Sequence, residues 1–275
     1  MDWNRFKDWI AKRYSKTTQV TILCYAKKYY GMLKDVQDIE QLNGCIKEHA
    51  IKSLIVLSKF LGKYEQFKNA LKQNGIRTEK HDSGLNSFIR ILNAQNSDII
   101  KWLDNIQQDL RPNERLFSKF LLVTGLRAGE AITSFNLIID LQRKGILNQY
   151  YDENLAVLQH FKYKDLFIRR TKSAYISFIE RTLVEQITKS QPITYSALKK
   201  NLQRKGFKKL RLNELRDYFG TYILRNGILR EEQDLLCGRI PPSIFIRHYW
   251  SPSFQELKDR TLKTITQLEQ TLNQN

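Results

Sequence analysis

The stretch TGLRAGE at residues 124–130 separates two segments whose apolar residues recur at helical spacing. Three more stretches that contain arginine or lysine follow it in the second half of the chain: RRTKS at 169–173, NELR at 213–216 and LLCGR at 235–239. The four are called the polar stretches below. Tyr249 comes ten residues after the end of the last of them. These stretches place arginine, lysine and tyrosine side chains on loops and at helix starts, where a fold is able to bring them together.

Around these stretches the apolar pattern is mostly that of helices. It predicts one long helix over 50–71, another over 212–225 and an amphipathic helix over 254–272. Residues 164–170 and 174–179 are predicted to be two short strands joined by a turn, since the second is rich in β-branched and aromatic residues. The predicted fold is mainly α with a small β-hairpin or sheet.

A polar segment that contains Gly84 interrupts the helical pattern after residue 76 and predicts a boundary between two domains. We therefore expect an all-α domain over 1–80, a linker over 81–95 and a second, mostly α domain over 96–275. A chain of 275 residues with 41% hydrophobic residues is long enough for two such cores.

The net charge of +18, from 46 basic and 28 acidic residues, indicates a polyanionic partner, for which nucleic acid is the usual candidate. The amino end has no signal-peptide pattern, and no apolar run is long enough to span a bilayer. Three widely separated cysteines and four unpaired histidines predict no disulfide framework and no metal site. We expect a cytoplasmic protein without cofactor or membrane contact.

One segment is especially basic, with a single acid, Glu214, among its many cations. Its ordinary interpretation is a solvated surface, but beside a phosphate site its cations are candidates for contact with a DNA backbone. These candidates are Lys199, Lys200, Arg204, Lys205, Lys208, Lys209 and Arg211.

The polar stretches together resemble the boxes of the tyrosine recombinases, the integrases and site-specific recombinases that break and rejoin DNA. The pattern TGLRxxE resembles the first arginine box, LRxxFGT at 215–221 the second, and LLxGx with Tyr249 the tyrosine box. Lys172 falls where that family keeps a hairpin lysine. The resemblance covers about residues 96–251 and is greatest to integrases of archaeal viruses and plasmids. It implies a catalytic domain of the DNA breaking-rejoining fold, preceded by a core-binding domain that clamps DNA.

The resemblance gives four residues a role that their chemistry suits. Arg127 and Arg216 are expected to grip the non-bridging oxygens of the scissile phosphate, because a guanidinium binds such oxygen pairs bidentately. Tyr249 is the expected nucleophile, which forms a 3′-phosphotyrosyl link, and Lys172 is expected to protonate the leaving 5′-oxygen. Taken singly, each residue has an ordinary interpretation as a surface, turn or packing residue.

Two positions depart from the family pattern, which often has histidine where this chain has Asn213 and histidine or tryptophan where it has Arg239. Asparagine is able to hydrogen-bond a phosphate oxygen but not to shuttle a proton, whereas arginine still donates to phosphate. Both are retained as candidate catalytic residues. Glu130 is interpreted as structural, either pairing with a neighbouring cation or capping the helix that follows.

The expected partners are double-stranded DNA attachment sites and further copies of the chain. In the family, a helix after the nucleophile often docks on a neighbouring protomer, so the helix at 254–272 is expected to support a tetramer on DNA; alternatively, it packs on its own domain. The leading hypothesis is a recombinase that integrates or excises a mobile or viral element. A type IB topoisomerase-like enzyme and a catalytically idle DNA-binding regulator are the alternatives.

Overall fold

The computed structural model describes residues 1–76, 83–92, 96–169, 172–207, 210–240, 248 and 253–273. The chain forms two compact units, Met1–Ala94 and Gln95–Asn275. Both are mostly helical, and the second contains a small three-stranded antiparallel sheet. The prediction of a mainly α fold with a small sheet is confirmed, whereas the assignment of the domains to DNA clamping and catalysis stays a prediction.

The described part of the first unit consists of helices and two short 3₁₀ segments, Tyr30–Leu33 and Val36–Gln41. Its helices are α1 (Trp3–Ala11), α2 (Lys16–Lys28), α3 (Gly44–Phe60), α4 (Tyr64–Gln73) and α5 (Ser83–Leu92). The apolar faces of α1 to α4 enclose a separate core, which includes the fully buried side chains of Phe6, Ile10 and Leu54. This core is what allows the unit to be compact by itself.

The single helix predicted over 50–71 is wrong, because the chain turns between α3 and α4. Gly62 has a φ of +69°, a left-handed conformation that glycine adopts without steric cost and that ends a helix. The structure has α5 within the predicted linker over 81–95, and the assignment of that segment as a linker stays a prediction. Leu85, Phe88, Ile89 and Leu92 recur at helical spacing there, and all four side chains are exposed.

The second unit surrounds its sheet with helices. The helices are α6 (Asn96–Gln107), α7 (Pro112–Thr124), α8 (Ala128–Arg143), α9 (Lys164–Phe167), α10 (Arg181–Thr188), α11 (Tyr195–Arg204), α12 (Leu212–Arg225), α13 (Arg230–Leu236) and α14 (Phe254–Asn273). The strands are β1 (Tyr151–Asp152), β2 (Val157–Leu158) and β3 (Ser177–Phe178), in the order β1-β2-β3. None of the helices in the described ranges combines the length and the apolar composition needed to cross a bilayer.

The predicted strand over 164–170 is wrong. Residues Lys164–Phe167 form the single turn α9, and among the described residues the predicted hairpin is reduced to the bridge from Ile168 to Ser173 and two backbone hydrogen bonds beside it. The segment KDLF lacks the alternation of a strand, and its one fully buried side chain, Phe167, enters the core from a helical turn. The second predicted strand, 174–179, contains β3, which pairs with β2 rather than with 164–170.

A buried polar network connects α8 to the sheet. The Tyr150 hydroxyl lies 2.8 Å from Ser134 Oγ of α8 and 2.6 Å from His160 Nδ1, and His160 Nε2 lies 3.0 Å from Ser177 Oγ of β3. Burial lowers the pKa of His160 to about 3 and raises that of Tyr150. Both groups are therefore neutral at physiological pH, as a satisfied hydrogen-bond network in a core requires.

Candidate active site

The loop that carries Arg127 is pressed against α12. Helix α7 ends at Gly125, whose φ is +58° and whose missing Cβ would lie 2.0 Å from the Phe219 ring of α12. Leu126 is fully buried, and Arg127 then immediately precedes α8. Only glycine allows this approach, so residue 125 determines where the Arg127 guanidinium stands relative to α12.

Arg127 is held by Glu130, which lies one turn further along α8 and is almost completely buried. The Arg127 backbone N–H donates to Glu130 Oε2 at 3.2 Å, and Arg127 Nη1 donates to Oε1 at 2.9 Å. Nη1 also donates to the Ser173 carbonyl at 3.3 Å. The interpretation of Glu130 as a structural residue that pairs with a cation and caps α8 is confirmed, and its carboxylate orients the guanidinium.

Arg216 connects two of the polar stretches. From α12 its Nη1 donates to the Gly125 carbonyl at 2.7 Å and its Nη2 donates to the Cys237 carbonyl at 2.6 Å. Burial lowers its pKa, and the positive charges of Arg127 and Arg239 act in the same direction. The two hydrogen bonds place the Arg216 guanidinium between the loop of Arg127 and that of Arg239, so the three arginines lie in one region.

Gly238 brings the stretch 235–239 against the turn that holds Lys172. It follows α13 with a φ of +67°, and a Cβ at this position would lie 1.8 Å from the Ser173 carbonyl oxygen. Arg239 is exposed, and its Nη1 lies 3.5 Å from Asp234. Lys172 is exposed as well, and its carbonyl accepts from the Arg169 N–H at 3.1 Å. The site therefore contains parts of all four polar stretches.

The remaining candidates are less closely tied to this cluster. Asn213 is exposed in the first turn of α12, three residues before Arg216. Tyr249, the expected nucleophile, lies outside the residues that the structure describes, as do Lys208 and Lys209. Of the neighbouring positions in the chain, His248 is described and is exposed.

The basic segment is divided by its contacts. Lys205 lies 3.3 Å from Asp109, and Arg211 donates from Nε and Nη2 to Glu214 at 2.8 and 2.5 Å. Their charges are thus partly neutralised within the protein. The candidates that present exposed side chains on α11 are Lys199, Lys200 and Arg204.

Helix α14 packs on its own unit, against α7, α12 and β3. Leu257, Ile265 and Leu268 are buried in the core, and Arg260 pairs with the buried Glu232 of α13. Lys119 of α7 also contacts Glu269 at 3.0 Å. Of the two expectations for this helix, the structure shows packing within its own unit, and docking on a neighbouring protomer stays a prediction.

Two features of this region were not predicted from the sequence. Arg169 Nη2 donates to Glu130 Oε1 at 2.5 Å, so the buried carboxylate has a second cation from another part of the chain. The network around His160 is the other. The arginine pair at 169–170 was a visible signal, but no spacing in the sequence links it to Glu130, which is 39 positions away.

The sequence was compared with protein families, with curated proteins and with solved structures. The family model of archaeal phage integrases matches residues 91–260, more than half of the chain. The searches for similar curated proteins and for similar solved structures found no match. The matched range contains Arg127, Lys172, Arg216 and Arg239, together with the loops that bring them into one region. On this evidence the chain belongs to the archaeal phage integrase family.

Proposed function

We propose that this integrase cleaves and rejoins DNA through a covalent 3′-phosphotyrosyl link to Tyr249. The observation that carries the proposal is the position of Arg216, whose guanidinium bonds to the Gly125 and Cys237 carbonyls and so joins the loop of Arg127 to that of Arg239. Three stretches that are distant in sequence thereby present their guanidiniums to one region of the second unit.

The charge of the cluster suits a phosphodiester. The diester carries one negative charge and gains a second in the pentavalent transition state, so donors fixed before the reaction lower the barrier. Glu130 neutralises part of the positive charge of Arg127. With Arg216 and Arg239 added, the region keeps a net positive charge, which a phosphate group would balance.

In the proposed reaction the Tyr249 oxygen attacks phosphorus and the bond from phosphorus to the 5′-oxygen breaks. The phenol releases its proton to solvent, and Lys172 protonates the leaving 5′-oxygen. The reverse sequence, with a 5′-hydroxyl of the partner strand as nucleophile, releases the enzyme and seals the new junction. The diester bond is conserved at every stage, so rejoining needs no nucleotide.

Binding would use sequence-independent contacts to the DNA backbone. The candidates are the exposed cations of α11 and those of the first unit, among them Arg5 and Arg13. The first unit is proposed to be the DNA-clamping domain. Assembly of a tetramer on paired attachment sites and action inside the host cell belong to the same proposal. The products would be an integrated or an excised element.

The decisive experiment uses nicked suicide duplexes that cover the DNA flanking the gene, with the full-length chain. We expect a covalent protein–DNA adduct that survives denaturation and is absent in Tyr249→Phe. Tyr30→Phe is the matched control, because Tyr30 lies in the first unit and packs its ring on Trp3. An adduct that persists in Tyr249→Phe, or a wild-type protein that binds these duplexes without forming any adduct, contradicts the proposal.

One observation also favours a DNA-relaxing side activity. The apolar face of α14 is covered by its own unit, so the helix does not need a neighbouring protomer to bury it. A single protomer would then nick and reseal a supercoiled plasmid. Relaxation at protein concentrations below those of assembly, abolished by Tyr249→Phe, would identify this activity; relaxation that rises with the fourth power of concentration would exclude it.

A further inference from the structure

Arg169 is a second cation on the carboxylate that orients Arg127. Glu130 Oε1 accepts from Arg127 Nη1 at 2.9 Å and from Arg169 Nη2 at 2.5 Å, and the Glu130 side chain is only 2% exposed. The Arg169 side chain is half exposed. We propose that Arg169 is a positioning residue for Lys172, and that Glu130 is the common anchor of the phosphate-binding arginine and of the turn that carries the lysine.

The backbone of Arg169 makes the connection to Lys172. Its N–H donates to the Lys172 carbonyl at 3.1 Å, and its carbonyl accepts from Ser173 Oγ at 3.4 Å. The same residue therefore closes the turn with its main chain and attaches the turn to α8 with its side chain. A displacement of Arg169 moves Lys172 directly.

The other described restraints act at the base of the turn. Ile168 pairs with Ser173, Arg127 Nη1 donates to the Ser173 carbonyl, and Gly238 packs on Ser173. Arg169 follows Ile168 in the chain and is joined to Lys172 by the backbone hydrogen bond described above. Its pairing with Glu130 thus adds a restraint next to Lys172, beyond those on Ser173.

The charges explain why an arginine serves here. A buried carboxylate needs a cationic partner, and Glu130 has two, the guanidiniums of Arg127 and Arg169. The ion pair with Arg169 therefore ties the turn to α8.

This inference rests on the proposed function, because it assigns Arg169 to the lysine that would protonate the leaving oxygen. It is distinguished from a general structural role by changing the leaving group. A 5′-bridging phosphorothiolate substrate releases a thiolate. This group leaves without being protonated, because the pKa of a thiol is far below that of an alcohol. A variant that has lost the general acid therefore forms the adduct at a nearly normal rate on this substrate, whereas a variant that has lost a phosphate ligand stays slow.

The experiment measures adduct formation by full-length variants on oxygen and sulfur substrates. We expect Arg169→Ala to be slower on the oxygen substrate by about 10- to 100-fold, the scale of a misplaced catalytic group. On the sulfur substrate its rate should come within about threefold of the wild-type rate, and we expect the same of Lys172→Ala. Arg127→Ala should be slow on both substrates. The double variant of Arg169 and Lys172 should be no slower than Lys172→Ala.

The matched control is Arg181→Ala. Arg181 is an exposed arginine of the same unit, and it pairs with the carboxylates of Glu153 and Glu185. The substitution should leave both rates unchanged. Arg169→Lys keeps the charge and should recover part of the rate on the oxygen substrate. An Arg169→Ala variant that remains slow on the sulfur substrate, or that is as fast as wild type on the oxygen substrate, overturns the inference.

A second measurement does not depend on activity. In wild type, Arg169→Ala and Glu130→Gln, amide hydrogen exchange is followed in peptides that cover 164–178, and we expect faster exchange of the turn in both variants. Exchange at wild-type rates in Arg169→Ala overturns the inference even where no substrate is cleaved. If wild type forms no adduct, the proposed function fails, and the exchange data still decide whether Arg169 holds the turn.

Discussion

The two units of this integrase use their polar side chains in different ways. In the first unit, Asp2, Arg13 and Gln19 hydrogen-bond to residues at most five positions away. In the second, Arg216 reaches a carbonyl 91 positions away, and Arg169 a carboxylate 39 positions away. Long-range bonds of this kind fix side chains that come from separate segments, which a site for phosphoryl chemistry requires.

Several cations of the first unit instead lie over aromatic rings. The Arg13 guanidinium lies 4.1 Å from the centre of the Trp9 ring, and Lys27 Nζ lies 5.7 Å from that of Trp3. A surface cavity of about 460 Å³ is lined by Arg5, Asp8, Trp9, Lys12, Arg13 and Phe60. Contact with a DNA backbone needs exposed positive charge more than the convergence of distant segments. If the first unit binds DNA and the second cleaves it, as proposed above, the two units face different demands on rigidity, and the variants below distinguish them.

The largest effect is expected for Gly238→Ala, which would break the contact between the stretch 235–239 and the turn. The new Cβ meets the Ser173 carbonyl at 1.8 Å, and the left-handed backbone adds strain, so we expect the second unit to lose about 4 kcal/mol of stability. Denaturant unfolding with hydrogen exchange resolved by unit measures this loss. Gly206→Ala is the control, because its φ is +91° but, apart from its chain neighbours, none of the described residues has an atom within 4 Å of the Cβ position, and a loss of about 1 kcal/mol is expected. Equal losses in the two variants would show that the contact is unimportant.

The second prediction concerns the pH dependence of the second unit. The pKa of His160 is about 3 in the folded protein and about 6.5 when unfolded, so between these values the unfolded chain binds a proton that the folded one does not. The free energy of unfolding therefore falls by about 1.4 kcal/mol per pH unit as the pH decreases from 6 towards 3. His160→Gln should cost about 2 kcal/mol at pH 7, and since wild type alone loses stability in acid, the difference in unfolding free energy should close near pH 5 and change sign by about pH 4.

Urea unfolding at pH 7, 5 and 4 checks this prediction. His49→Gln is the control, since His49 is exposed in the first unit and its substitution leaves the network intact. A constant gap between wild type and His160→Gln at all three pH values would mean that His160 binds its proton equally well in both states.

The smallest effect is expected in the first unit. Replacement of Arg5 and Arg13 by alanine should leave stability and adduct formation at saturating DNA unchanged, while lowering the salt dependence of DNA affinity. The slope of log K against log salt should decrease by about one for each phosphate that the variant no longer neutralises. Titrations at several salt concentrations measure this, with Lys68→Ala, paired with Glu65 on α4, as control. An unchanged slope would remove this surface from the DNA interface.

Much of the fold was predictable wherever apolar residues recurred at helical spacing over a long segment with clear ends. Helix α12 has the predicted bounds, and α14 exceeds its predicted end by one residue. The errors occur where one glycine or a few residues determine where a helix ends or whether a segment is helix or strand. Gly62 divides a continuous apolar run, and the segment 164–170 forms a helical turn because Phe167 must reach the core.

The site was predictable in its residue types and only partly in its geometry. The motif that begins at 124 indicated the pairing of Glu130, because residues three apart at a helix start are always close. The pairing of Glu130 with Arg169 and the network of Tyr150, His160 and Ser177 depend on how separate segments pack. No local pattern encodes such contacts, so the sequence alone did not predict them.

The burial of α14 also sets the order in which the molecule is completed during synthesis. The described core of the first unit is contained in residues 6–76, so that unit is able to close while the rest of the chain is still being translated. The second core includes Leu257, Ile265 and Leu268 and remains open until the ribosome has added them. A nascent integrase therefore folds the unit that carries Arg5 and Arg13 before the core that supports Arg127 and Arg216 is complete.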